Sequence, residues 1–286
     1  MISRKSKIVL CLMIPIIGLT SYVNGHYFTD SHIQKSVEDD FEPFFRTNPS
    51  QPKYIPDPPK LTEFDRDVLK ICGDWGSYPS EKDFRSLLDS PEYQGVVKGI
   101  YDKLDHQVIT PNADLGLFKD ELTQIWFAGK GSKFARRGEN GETVGFRHVF
   151  CDEPDKSKLG GMHFVGRYLE AQGNKWAGAI WYDAPCNKTD IEPPVYTLGV
   201  KYLGRGGNIK VNCEKGYAYN LHADDILVYA TKAFKELRKD GGCLYEMEGG
   251  RYQSVFVRER NAIITFYPDL TPHCDDKRTY CSCSNS

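Results

Sequence analysis

Nine cysteines constrain this chain more than any other feature. Cys11 lies in an apolar run near the start; the other eight are Cys72, Cys151, Cys186, Cys213, Cys243, Cys274, Cys281 and Cys283. An even set in an exported chain reads as a framework of up to four disulfides, whose pairing the sequence leaves open. The lesser reading, a zinc site at Cys274…Cys281-Ser282-Cys283, lacks a paired second knuckle. The start of the chain agrees with export. Arg4, Lys5 and Lys7 precede an apolar stretch from Ile8 to Leu19, and Val23-Asn24-Gly25 supplies small residues for cleavage. Residues 1–25 therefore read as a secretory signal peptide, too short in its apolar part for a comfortable membrane span. An uncleaved anchor is the weaker alternative. In an exported chain Asn187-Lys188-Thr189 is a glycosylation sequon at Asn187.

With 40% hydrophobic and 13% aromatic residues in 286, the chain has material for a real core and one or two domains. Removing residues 1–25 takes away three basic residues and no acid, so 37 basic residues become 34 against 39 acidic ones. A globally basic nucleic-acid binder is excluded, and any contact with a polyanion has to be local.

Residues 26–60 hold Asn48-Pro49, Gln51-Pro52, Ile55-Pro56 and Pro58-Pro59 and read as a flexible leader. The folded domain is expected over 61–273, with a cysteine-rich tail at 274–286. Helical spacing links Phe64, Val68, Leu69 and Cys72, and then Phe84, Leu87 and Leu88 behind an N-cap at Ser80. Residues 115–126 form a third helical candidate. Beyond residue 144 strands dominate: 144–150, 177–182, 195–202, 252–258 and 261–266, with a helix over 224–237 and a turn at Asp240-Gly241-Gly242. Residues 161–171 are ambiguous. Glu259-Arg260 falls between the last two strands as a hairpin connection. The fold class is α+β, helices first and antiparallel strands later.

Two of the seven histidines stand in suggestive settings. His148 lies in Gly-Phe-Arg-His-Val-Phe, with Glu153 five residues on. His163 lies in Gly-Gly-Met-His-Phe, followed by Tyr168-Leu169-Glu170. Imidazoles titrate near neutrality and serve as general acid and base. These segments, with Lys210-Val211 and the terminal Ile264-Thr265-Phe266-Tyr267-Pro268, resemble the EndoU family of endoribonucleases. The likeness is greatest to the animal XendoU branch and its secreted members. The last segment is also similar to the coronaviral uridylate-specific endoribonucleases. The resemblance covers roughly residues 61–270.

It implies a secreted endoribonuclease acting on single-stranded RNA, at uridines. DNA is not expected as a substrate, since the chemistry starts from the 2′-hydroxyl. One group removes that proton, the oxygen attacks phosphorus, and a second group protonates the departing 5′-oxygen, leaving a 2′,3′-cyclic phosphate. By position His163 is the base and His148 the acid, an orientation the sequence does not fix. Lys210 is the electrostatic clamp, with Lys201 its competitor. Tyr267 holds the sugar or stacks on the base, with Thr265 two residues away on the same strand face.

Two departures matter. Arg147 stands where the animal branch has a glutamate associated with manganese. An arginine repels a cation and attracts phosphate. A Mn2+ cofactor would then rest on Glu153 and Asp152, and Arg147 becomes a candidate substrate contact. The serine or threonine that selects uridine in the family is replaced by the stretch Asn212-Cys213-Glu214. A second hypothesis is therefore a catalytically weak RNA- or glycan-binding protein on the same fold; a third is a disulfide-rich structural module with incidental histidines. Lys130, Lys133, Arg136 and Arg137 form a basic cluster that suits phosphate or plain solvent. Gly204-Arg205-Gly206-Gly207 lacks the phosphate-loop pattern and reads as a flexible loop.

Overall fold

A computed structural model describes residues 41–128, 144–154, 158–275 and 279–284. The signal-peptide stretch and the basic cluster at 130–137 lie outside the described residues. Four helices come first: α1 (Glu63–Cys72), α2 (Glu81–Asp89), α3 (Gln94–Lys103) and α4 (Leu115–Phe127). Three of these starts are capped by a side chain. Thr62 and Asp65 form a reciprocal capping box on α1, and Ser80 and Asp114 accept from the first-turn amides of α2 and α4. Then follow α5 (Gly145–Phe150), the short hairpin β1 (Asp152–Glu153) and β2 (Gly160–Gly161), and α6 (Val165–Gly173).

Two sheets complete the chain. In the first, β5 (Val195–Leu203) is flanked on one side by β3 (Ala177–Ile180) and β4 (Asp190–Glu192), and pairs on the other with β6 (Ile209–Ala218). After α7 (Ala223–Glu236), the second sheet runs in the order β10 (Thr279–Tyr280), β7 (Gly241–Met247), β8 (Tyr252–Glu259), β9 (Ala262–Asp269). Apart from the parallel β10–β7 pair, all pairing is antiparallel. The α+β class stands. Among the described residues no helix is long and apolar enough to cross a membrane.

Several local expectations need correction. Residues 145–150 are helical, not extended. A run this short carries no reliable period, and Gly145 starts the helix where the backbone of Ile263 comes close: a Cβ there would lie 2.2 Å from the Ile263 carbonyl oxygen. The β8–β9 connection is Arg260-Asn261, both at positive φ (48° and 59°), rather than Glu259-Arg260. Paired positive φ values match the twist of a two-residue hairpin. Gly241-Gly242 begins β7 instead of forming a turn.

Residues 41–60 are not a loose leader. Phe44 and Phe45 are fully buried and Ile55 nearly so. The Phe44 ring meets Tyr168 edge-on at 5.0 Å. The Phe45 amide donates to Gln172 Oε1 (2.9 Å), and the Trp181 indole N–H donates to the Pro43 carbonyl (3.0 Å). Proline and charge mask a strap whose few aromatics do the packing. All eight cysteines after residue 25 are paired: Cys72–Cys151, Cys186–Cys213, Cys243–Cys283 and Cys274–Cys281. The tail is thus fastened to β7 by a disulfide and by the β10 pairing.

Candidate active site

The site forms where the two sheets meet. α5 buries Phe146, Val149 and Phe150, with Phe146 5.0 Å from both Phe84 and Phe127. That leaves His148 as the helix's partly exposed residue. The chain then turns through Cys151, tied to Cys72, into the β1–β2 hairpin. Gly161 passes so close to the histidine helix that a Cβ would fall 2.4 Å from the His148 carbonyl oxygen, and its φ is +62°. Met162 follows at φ +67°, a conformation rare for a long side chain. The His163 amide then donates to the Val149 carbonyl (2.9 Å). These constraints bring the two imidazoles to 5.4 Å between centroids.

Each ring has a different partner. His148 Nδ1 lies 2.9 Å from Glu153 Oε2. A carboxylate accepts, so Nδ1–H donates and Nε2 is turned away from it. His163 Nδ1 faces the Gly216 carbonyl oxygen at 3.3 Å. A carbonyl can only accept, so this nitrogen carries the proton and Nε2 keeps its lone pair. His163 is 9% exposed. Burial, then the Lys215 charge, then His148, hold its pKa well below the usual 6.5.

Tyr267 on β9 stacks on the other side of His163, centroids 4.8 Å apart at 21°. Burial first, then Asp269 and Glu214, push its hydroxyl up to about 12. A cavity of about 760 Å³ opens beside these groups, lined by His163, Lys215, Tyr267, Asn212, Glu214 and Lys188 among others.

Lys215 lines this cavity, as do Lys158 and Lys188, whereas Lys210 does not. Lys215 pairs with Leu198 and Lys210 with Tyr202. Four strand positions, roughly 13 Å, separate them. Lys210 lies against Gly204 instead, where a Cβ would touch its Cδ and Cε. Between the two lysines the register shifts at Leu198/Val200, an irregularity that absorbs Cys213-Glu214 on β6. Lys201 faces Val211 in the same hairpin and does not line the cavity. A signal for Lys215 exists in the sequence: the glycine after it, in a strand, marks a close backbone approach. Gly216 packs against the Pro268 carbonyl, with a Cβ-to-oxygen distance of 3.1 Å.

Other expected residues go elsewhere. Arg147 is not a phosphate contact. It is 1% exposed, donates to the carbonyls of Ser77 and Gly76 (both 3.1 Å) and lies 3.7 Å from the Tyr78 ring centroid. On a helix, neighbouring side chains diverge by about 100°, so His148, which faces His163, sends Arg147 away from the pair. Thr265 is buried with an unpartnered hydroxyl and does not line the cavity. Glu153 is occupied with His148, and Asp152 with Arg167 Nε (2.6 Å) and the Gly76 amide (2.6 Å). Neither is a ready metal ligand, and among the described residues no group of three His, Cys, Asp or Glu side chains suits a cation. Asn187 is exposed at positive φ on the turn that Cys186–Cys213 holds beside the cavity.

The α+β chain thus brings two differently partnered histidines together with a lysine and a tyrosine, a set of groups suited to acid–base chemistry. Comparison with known proteins narrows this. Residues 142–270 match the family model described as bacterial EndoU nuclease, a span holding His148, His163, Lys215 and Tyr267. Among solved structures it is similar to XendoU, described as a splicing-independent snoRNA-processing endoribonuclease, at 18% identity and a TM-score of 0.49, over 73% of this chain and 75% of that one. It is also similar to endoribonuclease Nsp15 encoded by Middle East Respiratory Syndrome Coronavirus, at 15% identity and a TM-score of 0.34, over 69% of this chain and 42% of that one. No curated protein sequence matches.

Proposed function

We propose that the chain is an exported endoribonuclease that cleaves single-stranded RNA on the 3′ side of uridines by transesterification. His163 is the base: its Nε2 takes the proton from the 2′-hydroxyl. The freed oxygen attacks the adjacent phosphorus, and the bond from phosphorus to the 5′-oxygen breaks. His148 Nε2–H protonates that leaving oxygen, so the products are a 2′,3′-cyclic phosphate and a 5′-hydroxyl. Lys215 balances the negative charge that gathers on the phosphoryl oxygens. Glu153 is a positioning residue, fixing the tautomer and angle of His148. Tyr267 braces His163 and offers its hydroxyl to the sugar.

The observation that carries this reading is the unequal setting of the two imidazoles. One is buried, depressed in pKa and bonded to a carbonyl; the other is partnered by a carboxylate. Such asymmetry sorts a pair into base and acid. Asn212, Glu214 and Thr271, which line the cavity, are the side chains placed to read the base. Export is supported by the disulfides and by the basic-then-apolar start of the chain, and exposed Asn187 is then a glycan acceptor. The binding-only alternative loses one of its two grounds, because Arg147 is engaged with the 76–78 segment; the Asn212-Cys213-Glu214 stretch is the other.

The test is a fluorescent RNA with one uridine, with and without manganese, and its counterpart carrying 2′-deoxyuridine there. Cleavage of the first to a cyclic phosphate, no cleavage of the second, and loss of turnover in His163→Ala are expected. Cutting of the deoxy substrate, or full activity of His163→Ala, would refute the mechanism.

A further inference from the structure

A second concave site lies on the opposite side of the histidine helix. It is a cavity of about 440 Å³ between the 75–78 segment, Pro154, Trp176 and the β5–β6 turn Gly204–Gly207. Its walls are aromatic faces. Trp75 and Trp176 stand 5.9 Å apart at 33°, and Tyr78 is 46% exposed. Each ring is backed by a buried guanidinium. Arg147 lies 3.7 Å from the Tyr78 centroid, and Arg167 lies 5.0 Å from that of Trp176 and 5.9 Å from that of Trp75.

Both arginines are held from behind. Arg147 donates to the Gly76 and Ser77 carbonyls, and Arg167 pairs with Asp152 and donates to the Gly73 carbonyl. The Trp75 indole N–H is fixed to the Leu203 carbonyl at 2.7 Å. A ring whose rear face meets a cation is electron-poor in front and rigid, which suits the π-face of an electron-rich heterocycle. The rim is of matching chemistry. Exposed Arg205 sits between Gly204 and Gly206-Gly207, and the latter two are at φ +88° and +81° with open space where side chains would stand.

We propose that this cavity is an accessory nucleotide site, which stacks one base of a single-stranded RNA on the Tyr78–Trp75–Trp176 wall with its phosphate toward Arg205. Resting on the ribonuclease reading, it gives the cleft a remote handle on long substrates. Pro154 follows Glu153 directly, so the cavity and the His148 partner share one backbone turn. The occupant is RNA rather than glycan because the rim adds a cation and open backbone to the aromatic wall, where a neutral sugar needs only the rings.

The experiment compares a uridine-containing dinucleotide with a twelve-nucleotide single strand, in the wild type and in Tyr78→Ala and Arg205→Glu. Intrinsic tryptophan quenching by the oligomer is measured in parallel in a His163→Ala background. The expected result is a Kd for the oligomer weakened roughly five- to a hundredfold by Tyr78→Ala, the range of one stacked base, and weakened by Arg205→Glu too. Dinucleotide turnover should be unchanged in both. Unchanged oligomer affinity in both variants, equal losses on both substrates, or quenching by a neutral oligosaccharide but not by RNA would overturn the proposal. If the wild type quenches with RNA yet cleaves neither substrate, the accessory site stands and the ribonuclease reading falls.

Discussion

The two lysines of β6 make the sharpest test of the active-site geometry. Lys215 lines the cavity and is among the groups that depress His163; Lys210 sits four paired positions along the sheet. Removing a preorganised charge from a developing oxyanion costs about 3–4 kcal/mol, or two to three decades in kcat. Lys215→Ala should lose that much, whereas Lys210→Ala should stay within about threefold, because a half-buried charge held against Gly204, more than a Debye length away, is largely screened. The pH profile supplies a second readout with a definite sign. His163 must be neutral to accept a proton, so the rate falls as pH drops through its pKa. Lys215 is one of the groups holding that pKa down; taking it away lets the pKa rise. The acid limb of kcat/KM in Lys215→Ala therefore moves to higher pH, and in Lys215→Arg it stays near the wild-type position. Single-turnover cleavage across pH 4–8, with far-UV circular dichroism to confirm folding, measures both effects. Equal losses in the two alanine variants, or an acid limb that moves downward, would refute the assignment.

Other consequences can be checked on the same preparations. Glu153→Gln keeps the shape but no longer fixes His148 with a charge; kcat should fall by one to two decades with KM nearly constant, and a matched loss in both would remove Glu153 as a positioning residue. Phe44→Ala should lower unfolding free energy by about 3–5 kcal/mol in urea titration, the usual cost of emptying a buried phenylalanine, while a loose leader would register almost nothing. Arg147→Ala leaves the Gly76 and Ser77 carbonyls without their donor and should cost about 1–3 kcal/mol of stability; an intact melting temperature with a raised KM for minimal substrates would restore Arg147 to the cleft.

What could be read beforehand divides along physical lines. Signals carried by a few adjacent residues were legible. Ser80 starts a helix as its chemistry demands, and the periodic apolar sets around Phe64 and Phe84 are on buried faces. His148, His163 and Tyr267 are indeed brought together, since each belongs to a short string of residues with its own character. The sequence offers Lys210 and Lys201 for the clamp and gives no prominence to Lys215. A register shift in β6 depends on which residue of β5 lies opposite, and pairing is a property of two strands. The helix at 145–150 was obscured for a like reason: its deciding contact is Gly145 against Ile263, 118 positions away. The strap at 41–60 was hidden by composition, which averages over Phe44 and Phe45.

The disulfide pattern also divides the molecule into covalent islands. A single cut anywhere between residues 73 and 150 leaves both pieces joined through Cys72–Cys151. A cut between 152 and 185 does not, for no bridge spans that interval. The two histidines lie on opposite sides of the start of that gap, so one nick in the hairpin between them parts one imidazole from the other. A protease acting there could silence the cleft in one step and yield two bands on a non-reducing gel, while the same enzyme acting between α1 and α5 would leave one.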